Sequence, residues 1–201
     1  MGLQDLDGVW QEEKEGVEGI IMDYFTSIYR SNQPTNFEAS LSAISIQVSL
    51  DMNEELIADF KANEVWSALK QMHPTKSPGP NGMSLIFFKN YWDIVGYEVI
   101  NYVLNALNSG VMPCEINDPY ICLIPKVKSL KKITEFWPIS LCNVIHKLIS
   151  KILANRLKRI LAAVIDKSQS AFVRGRLITD NVLVAFKTMH YIDQRKKGKE
   201  A

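Results

Sequence analysis

The sequence has no long hydrophobic run. No apolar stretch in its 201 residues reaches 18, too short for a membrane-spanning helix. Its opening residues, "MGLQDLDGVWQEEKEG", are acidic and lack the apolar segment of a secretory leader. Leu6 stands where an N-myristoylation pattern needs Ser or Thr. Cysteine is scarce and odd in number. Cys114, Cys122 and Cys142 lie far apart, which argues against a disulfide framework and for reduced thiols in a nuclear or cytoplasmic, not secreted, protein. No His or Cys pair has zinc-ligand spacing, and no internal repeat is evident.

What the chain does contain is an ordinary globular composition, 47% hydrophobic and 22% charged. The net charge of +1 hides a division. Residues 1–121 carry 6 Lys/Arg against 17 Asp/Glu, and residues 122–201 carry 17 against 5, so the parts stand at −11 and +12. Either a polyanion meets the basic part, or the acidic part docks on it within one protein.

Apolar spacing predicts a helix over 9–30, ended by the breakers of "RSNQPTN". Residues 37–50 read as a short helix and a loop. Asp51, with Glu54 three residues on, reads as the N-cap of the next helix. Asn63 reads as that of the one after it, which His73-Pro74 closes. "PTKSPGPNG", 74–82, is the densest Pro and Gly cluster, a rigid loop with two glycines free to take positive φ. One or two helices follow, up to Gly110 as the glycine beyond the last turn. "YICLI" then reads as a strand buried on both faces. It is paired with "FWPISL" across a loop in which Lys126, Lys128, Lys131 and Lys132 fall within seven positions. The strongest helix is "NVIHKLISKILANRLKRILAAVI". Its apolar residues recur at three and four, and Lys147, Lys151, Arg156, Lys158 and Arg159 form a solvated basic face. A loop with a short strand over 166–181 and a last helix with a charged tail complete the chain.

Three of these segments are distinctive together: "HPTKSPGPNGM", "YICLIPKVKSLKKITEFWPISLCNVIHKLISKILANRLKRIL" and "SQSAFVRGRLITDNVLVAFKTMH". In order and spacing they resemble the reverse transcriptase of plant-type non-LTR (LINE-type) retrotransposons, densely over 60–195. The resemblance implies an α+β, helix-rich fold: a partial right-hand polymerase, fingers and the start of the palm, with a short β-hairpin. It makes residues 1–60 a helical connector preceding the polymerase and 61–201 the N-terminal part of the reverse transcriptase domain. It implies an RNA or DNA template and a deoxynucleoside triphosphate as partners. No membrane partner is expected, and the oligomeric state is left open. By position, Lys126 matches the lysine that binds the triphosphate, an anion that needs fixed cationic donors. Lys128, Lys131 and Lys132 read as nucleic-acid or solvent contacts. Pro78, Gly79, Pro80, Asn81 and Gly82 match a loop whose backbone approaches the template. Gln169 and Arg176 match template contacts, Phe172 matches a core position, and Asp180 reads as a helix N-cap instead of a metal ligand.

Departures from the pattern bear on activity. Trp137 stands where the family has Arg, and offers one N–H and no charge in place of a planar cationic fork. Such a loss costs on the order of 2–5 kcal/mol at a buried anion. Asn81 replaces Asp, a mild change in a turn, and Arg174 replaces Pro. Two-metal phosphoryl transfer needs carboxylates that hold both ions about 4 Å apart. In the intact family these hold two Mg2+ and lie beyond the region where this chain stops. Here the ten aspartates include no adjacent pair, so no metal is expected in this chain. The expectation is therefore a truncated reverse transcriptase, inactive alone and prone to expose apolar strands. The alternatives are a nucleic-acid-binding module using the basic region 122–201 and a helical protein-interaction relic.

Overall fold

A computed structural model describes residues 2–35, 37–42, 45, 47–166, 169–170, 173 and 175–197. The described residues are helix-rich with two small antiparallel sheets, an α+β arrangement. The chain divides into two compact units, 1–44 with 60–151 and 45–59 with 152–201.

The first unit opens with a two-residue ribbon, β1 (Leu3–Gln4) paired antiparallel to β2 (Trp10–Gln11). Helix α1 spans Lys14–Tyr29. It begins later than its periodicity indicates, because Trp10 and Gln11 bond to β1 in place of an extra helical turn. A short α2 (Glu38–Leu41) follows. In the second unit, α3 (Leu50–Ile57) is capped by Ser49, whose hydroxyl accepts from the Met52 N–H at 3.2 Å. Asp51, the expected cap, lies inside the helix. Helix α4 (Ala62–Gln71) starts after Lys61, two residues before the expected Asn63 cap. There the Glu64 carboxylate accepts the Lys61 N–H at 2.9 Å and closes the first turn. Asn108 also fixes this entry, accepting from the Phe60 N–H at 2.8 Å and donating to its carbonyl at 3.4 Å.

The expected helical stretch before Gly110 is two helices, α5 (Leu85–Asn90) and α6 (Trp92–Ser109). Gly110 ends it with φ of 71°, as a glycine in the left-handed region does. Both α4 and α5 pack on α6, burying Val65, Ala68, Leu69, Leu85, Phe88, Val99, Val103 and Ala106. Burying each large side chain contributes about 1.5–3 kcal/mol before entropy. Trp66 of α4 stacks on Trp92 of α6 with ring centroids 5.0 Å apart.

Strand β3 (Tyr120–Pro125) pairs antiparallel with β4 (Phe136–Leu141), in the register Leu123 opposite Pro138 and Ile124 opposite Trp137. The predicted hairpin is present; its predicted burial is not. Tyr120, Ile121, Ile124, Trp137 and Ile139 are exposed. Among the described residues β3 and β4 pair only with each other, and an apolar run is buried only where another layer packs on its faces. The buried residues lie at the loop end of the hairpin. Ile133 and Phe136 join Leu3 of β1 and Phe25 of α1 in a small core, with Leu123 and Leu130 against it.

Helix α7 (Val144–Val164) follows β4, and α8 (Ile178–Lys197) ends the described chain. Val144, Leu148, Ile149, Ile152 and Ile160 of α7 are buried as their spacing predicts. The solvated basic face needs one correction. Arg156 is only 6% exposed, and its guanidinium donates to the carbonyls of Leu56 (3.1 Å), Ala58 and Asp59 (2.9 Å) at the C-terminus of α3. Those carbonyls have no partner within their own helix, and a cation there also meets the negative end of the helix dipole. Over 166–181, where a loop with a short strand is expected, the described residues form no strand; 167–168, 171–172 and 174 lie outside them. No helix among the described residues is long and apolar enough to cross a membrane, and Cys114, Cys122 and Cys142 are all free.

Candidate functional site

In the first unit the Pro-Gly loop is a built structure, not a tether. The Gly82 N–H donates to the Gly79 carbonyl at 3.0 Å, closing a four-residue turn through Pro80 and Asn81. Gly82, at φ of 70°, follows in the left-handed region. Of the two glycines read as free to take positive φ, Gly82 alone does so; Gly79 serves by its size. A methyl group there would lie 2.4 Å from the Asn143 backbone nitrogen and 2.5 Å from the Cys142 carbonyl carbon. The loop is thus pressed against the start of α7.

Asn143, 7% exposed, holds the two together. Its side-chain oxygen accepts the Asn81 N–H at 3.3 Å, and its carbonyl accepts the Lys147 N–H at 3.1 Å. The Asn81 side chain in turn accepts the Met83 N–H at 3.1 Å, a local turn that Asp would also make. Lys147 donates from Nζ to the Ser77 carbonyl at 2.5 Å. Burial pulls the Lys147 ammonium below the ordinary lysine value; Cys142 opposes this and the Lys76 charge adds to it. Pro78, Gly79 and Gly82 therefore come together on one anchored loop. The anchors Asn143 and Lys147 were not among the predicted site residues. Their sequence signal is slight, an Asn just before a strong helix and a lysine one turn into it.

The hairpin positions Lys126 at the end of β3, where its N–H donates to the Glu135 carbonyl at 2.8 Å. Its Nζ reaches across to the Thr134 carbonyl at 2.8 Å and lies 4.4 Å from the centre of the Trp137 ring. Lys126 and Trp137 are thus neighbours, the ammonium over the ring's negative face. In the loop between the strands, the Glu135 carboxylate accepts the backbone N–H groups of Lys131 (2.7 Å) and Lys132 (3.1 Å). These bonds, aided by the two lysine charges, hold its carboxyl below the usual glutamate range.

In the second unit Gln169 and Arg176 also come together. The Arg176 guanidinium donates to the Gln169 carbonyl at 2.7 Å, to the Ile165 carbonyl at 3.2 Å and to the Asp166 carbonyl. It ties the loop to the end of α7. Asp180 is the third residue of α8, not its cap, and accepts the Leu177 N–H at 3.3 Å. Phe172 and Arg174 lie outside the described residues. Among the described residues no group of three His, Cys, Asp or Glu side chains is placed to hold a metal ion.

No family model matches the chain. Over 187 residues, 92% of its length, it is 29% identical to the uncharacterized 149 kDa protein of transposon TX1 from Xenopus laevis. The chain spans 14% of that protein's length. The similarity supports a transposon-related origin for this chain.

Proposed function

We propose that the chain is the fingers and early-palm part of a non-LTR retrotransposon reverse transcriptase, with residues 1–60 as its connector. In this reading the Pro-Gly loop and the Gln169–Arg176 segment meet the template, and the hairpin meets the incoming deoxynucleoside triphosphate. The carrying observation is the similarity to a transposon protein over nearly the whole chain. Two features add support. The "LIPK" run pairs in register with "FWPISL" and sets Lys126 at the strand end, and the loop matched to the template is rigid and backbone-exposing at Pro78 and Gly82. In this reading the residues named here have binding roles.

Lys126 would lend its ammonium to a triphosphate by leaving the Thr134 carbonyl, and Trp137 supplies no second cation. The test is triphosphate affinity in the full chain, measured by calorimetry, for wild type and Trp137→Arg. We expect at least tenfold tighter binding in the variant, in line with the worth of a charged contact to an anion. Unchanged affinity would sink the assignment of the hairpin to the nucleotide. Template binding is read separately, by anisotropy of a labelled RNA–DNA hybrid over a salt series. Affinity should fall steeply as salt rises, and absence of binding even at low salt would overturn the template reading.

A further inference from the structure

Beside the anchored loop lies an open depression of about 310 Å³ lined by Met72, Lys76, His146, Lys147, Ser150 and Lys151. Three of the six carry ammonium groups, two more offer an imidazole and a hydroxyl, and none is a carboxylate. Two separated stretches of chain build it. His146 and Ser150, and likewise Lys147 and Lys151, stand four apart on α7 and so share a face. Lys76 comes from the Pro-Gly loop some 70 residues earlier, and the bond from Lys147 to the Ser77 carbonyl fixes the loop to the helix.

The grouping brings like charges together. Like charges four apart on a helix repel, and Lys147 is half-buried, with Lys76 depressing its ammonium further. The first turn of α7 adds the positive end of a 21-residue helix. An anion held there would reverse each of these terms. The side chains at hand, three ammonium groups with an imidazole and a hydroxyl, are of the kind that bind an oxyanion. The lining holds no Phe, Tyr or Trp and is dominated by ammonium groups, so the site suits a phosphate more than a base.

We propose that this depression binds a backbone phosphodiester of a single-stranded nucleic acid, with Lys76, Lys147 and Lys151 as its cationic ligands. This rests on the template reading above and gives it a phosphate contact next to the Pro78–Gly82 loop.

The test compares wild type, Lys76→Ala/Lys151→Ala and Lys76→Arg/Lys151→Arg, with Lys147 retained because it anchors the loop. Circular dichroism checks the fold of each. A labelled single-stranded RNA of about 15 nucleotides is titrated at several salt concentrations. The alanine pair should weaken binding about tenfold at low salt and flatten the log–log salt slope by about 1.4, the value for two lost phosphate contacts on a single strand. The arginine pair should keep the wild-type slope. RNA binding with an unchanged slope in the alanine pair overturns this proposal and leaves the template reading standing. If wild type fails to bind RNA at any salt, both fall. If the alanine pair loses affinity for a deoxynucleoside triphosphate but not for RNA, the pocket serves a free nucleotide and the backbone assignment is wrong.

Discussion

The hairpin loop holds Lys126, Lys128, Lys131 and Lys132 in a short run, whereas the basic residues at the start of α7 are interleaved with apolar ones. Density along the chain singles out the hairpin. In the folded chain Lys126 lies on its own hairpin, donating to the Thr134 carbonyl and covering Trp137, while Lys131 and Lys132 surround the Glu135 carboxylate. The start of α7 draws its cations from two separated stretches of chain. It gathers Lys147 and Lys151 with the distant Lys76 around an open depression free of carboxylates. Cation count along a sequence is thus a poor guide to which cations the fold groups together.

The contrast can be broken most severely at Gly79. A side chain there collides with the backbone of Cys142 and Asn143, and backbone does not step aside as the end of a flexible side chain can. Gly79→Ala should cost about 1–3 kcal/mol, the usual range for overpacking a tight contact. Urea denaturation followed by far-UV circular dichroism measures it. RNA affinity should drop with it, because the loop carries Lys76. A midpoint equal to wild type would mean that the loop does not press on α7.

A milder cut is Asn143→Ala. It removes the acceptor of the Asn81 N–H and strands part of the turn, which should cost about 1–2 kcal/mol. Asn143→Asp keeps an oxygen at that place and should restore most of the loss. If the alanine and aspartate variants melt alike, the bond to Asn81 carries no weight and the loop is held by packing alone.

These residues also mark what a reading of the chain could reach. The long helices were legible because Val144, Leu148, Ile149 and Ile152 repeat at helical spacing, and the hairpin because two apolar runs flank a polar loop. Helix starts were misplaced at Asp51 and Asn63. Ser49 and Lys61 begin those helices instead, since a cap is chosen by where the preceding chain turns and not by side-chain type alone. Burial of β3 was misjudged because an apolar strand is the same string whether or not a second layer covers it. The anchoring of the Pro-Gly loop joins residues 62 apart, and Arg156 reaches carbonyls about 100 positions away. Neither leaves a periodic trace.

The finest test sharpens the hairpin side of the comparison. Glu135 has its carboxyl held down chiefly by the Lys131 N–H, then by that of Lys132, with the lysine charges adding less. A carboxyl with a lower value folded than unfolded stabilises the fold above the ordinary glutamate value, and the gain fades as pH falls through the folded value. Wild type should therefore melt slightly above Glu135→Gln near neutral pH, and the two curves should draw together between about pH 5 and pH 3, around the carboxylate range. The amide of the variant still accepts an N–H, so the gap that closes measures the charge and not the bond. If the gap held constant down to acid, the loop lysines would not be engaged with Glu135.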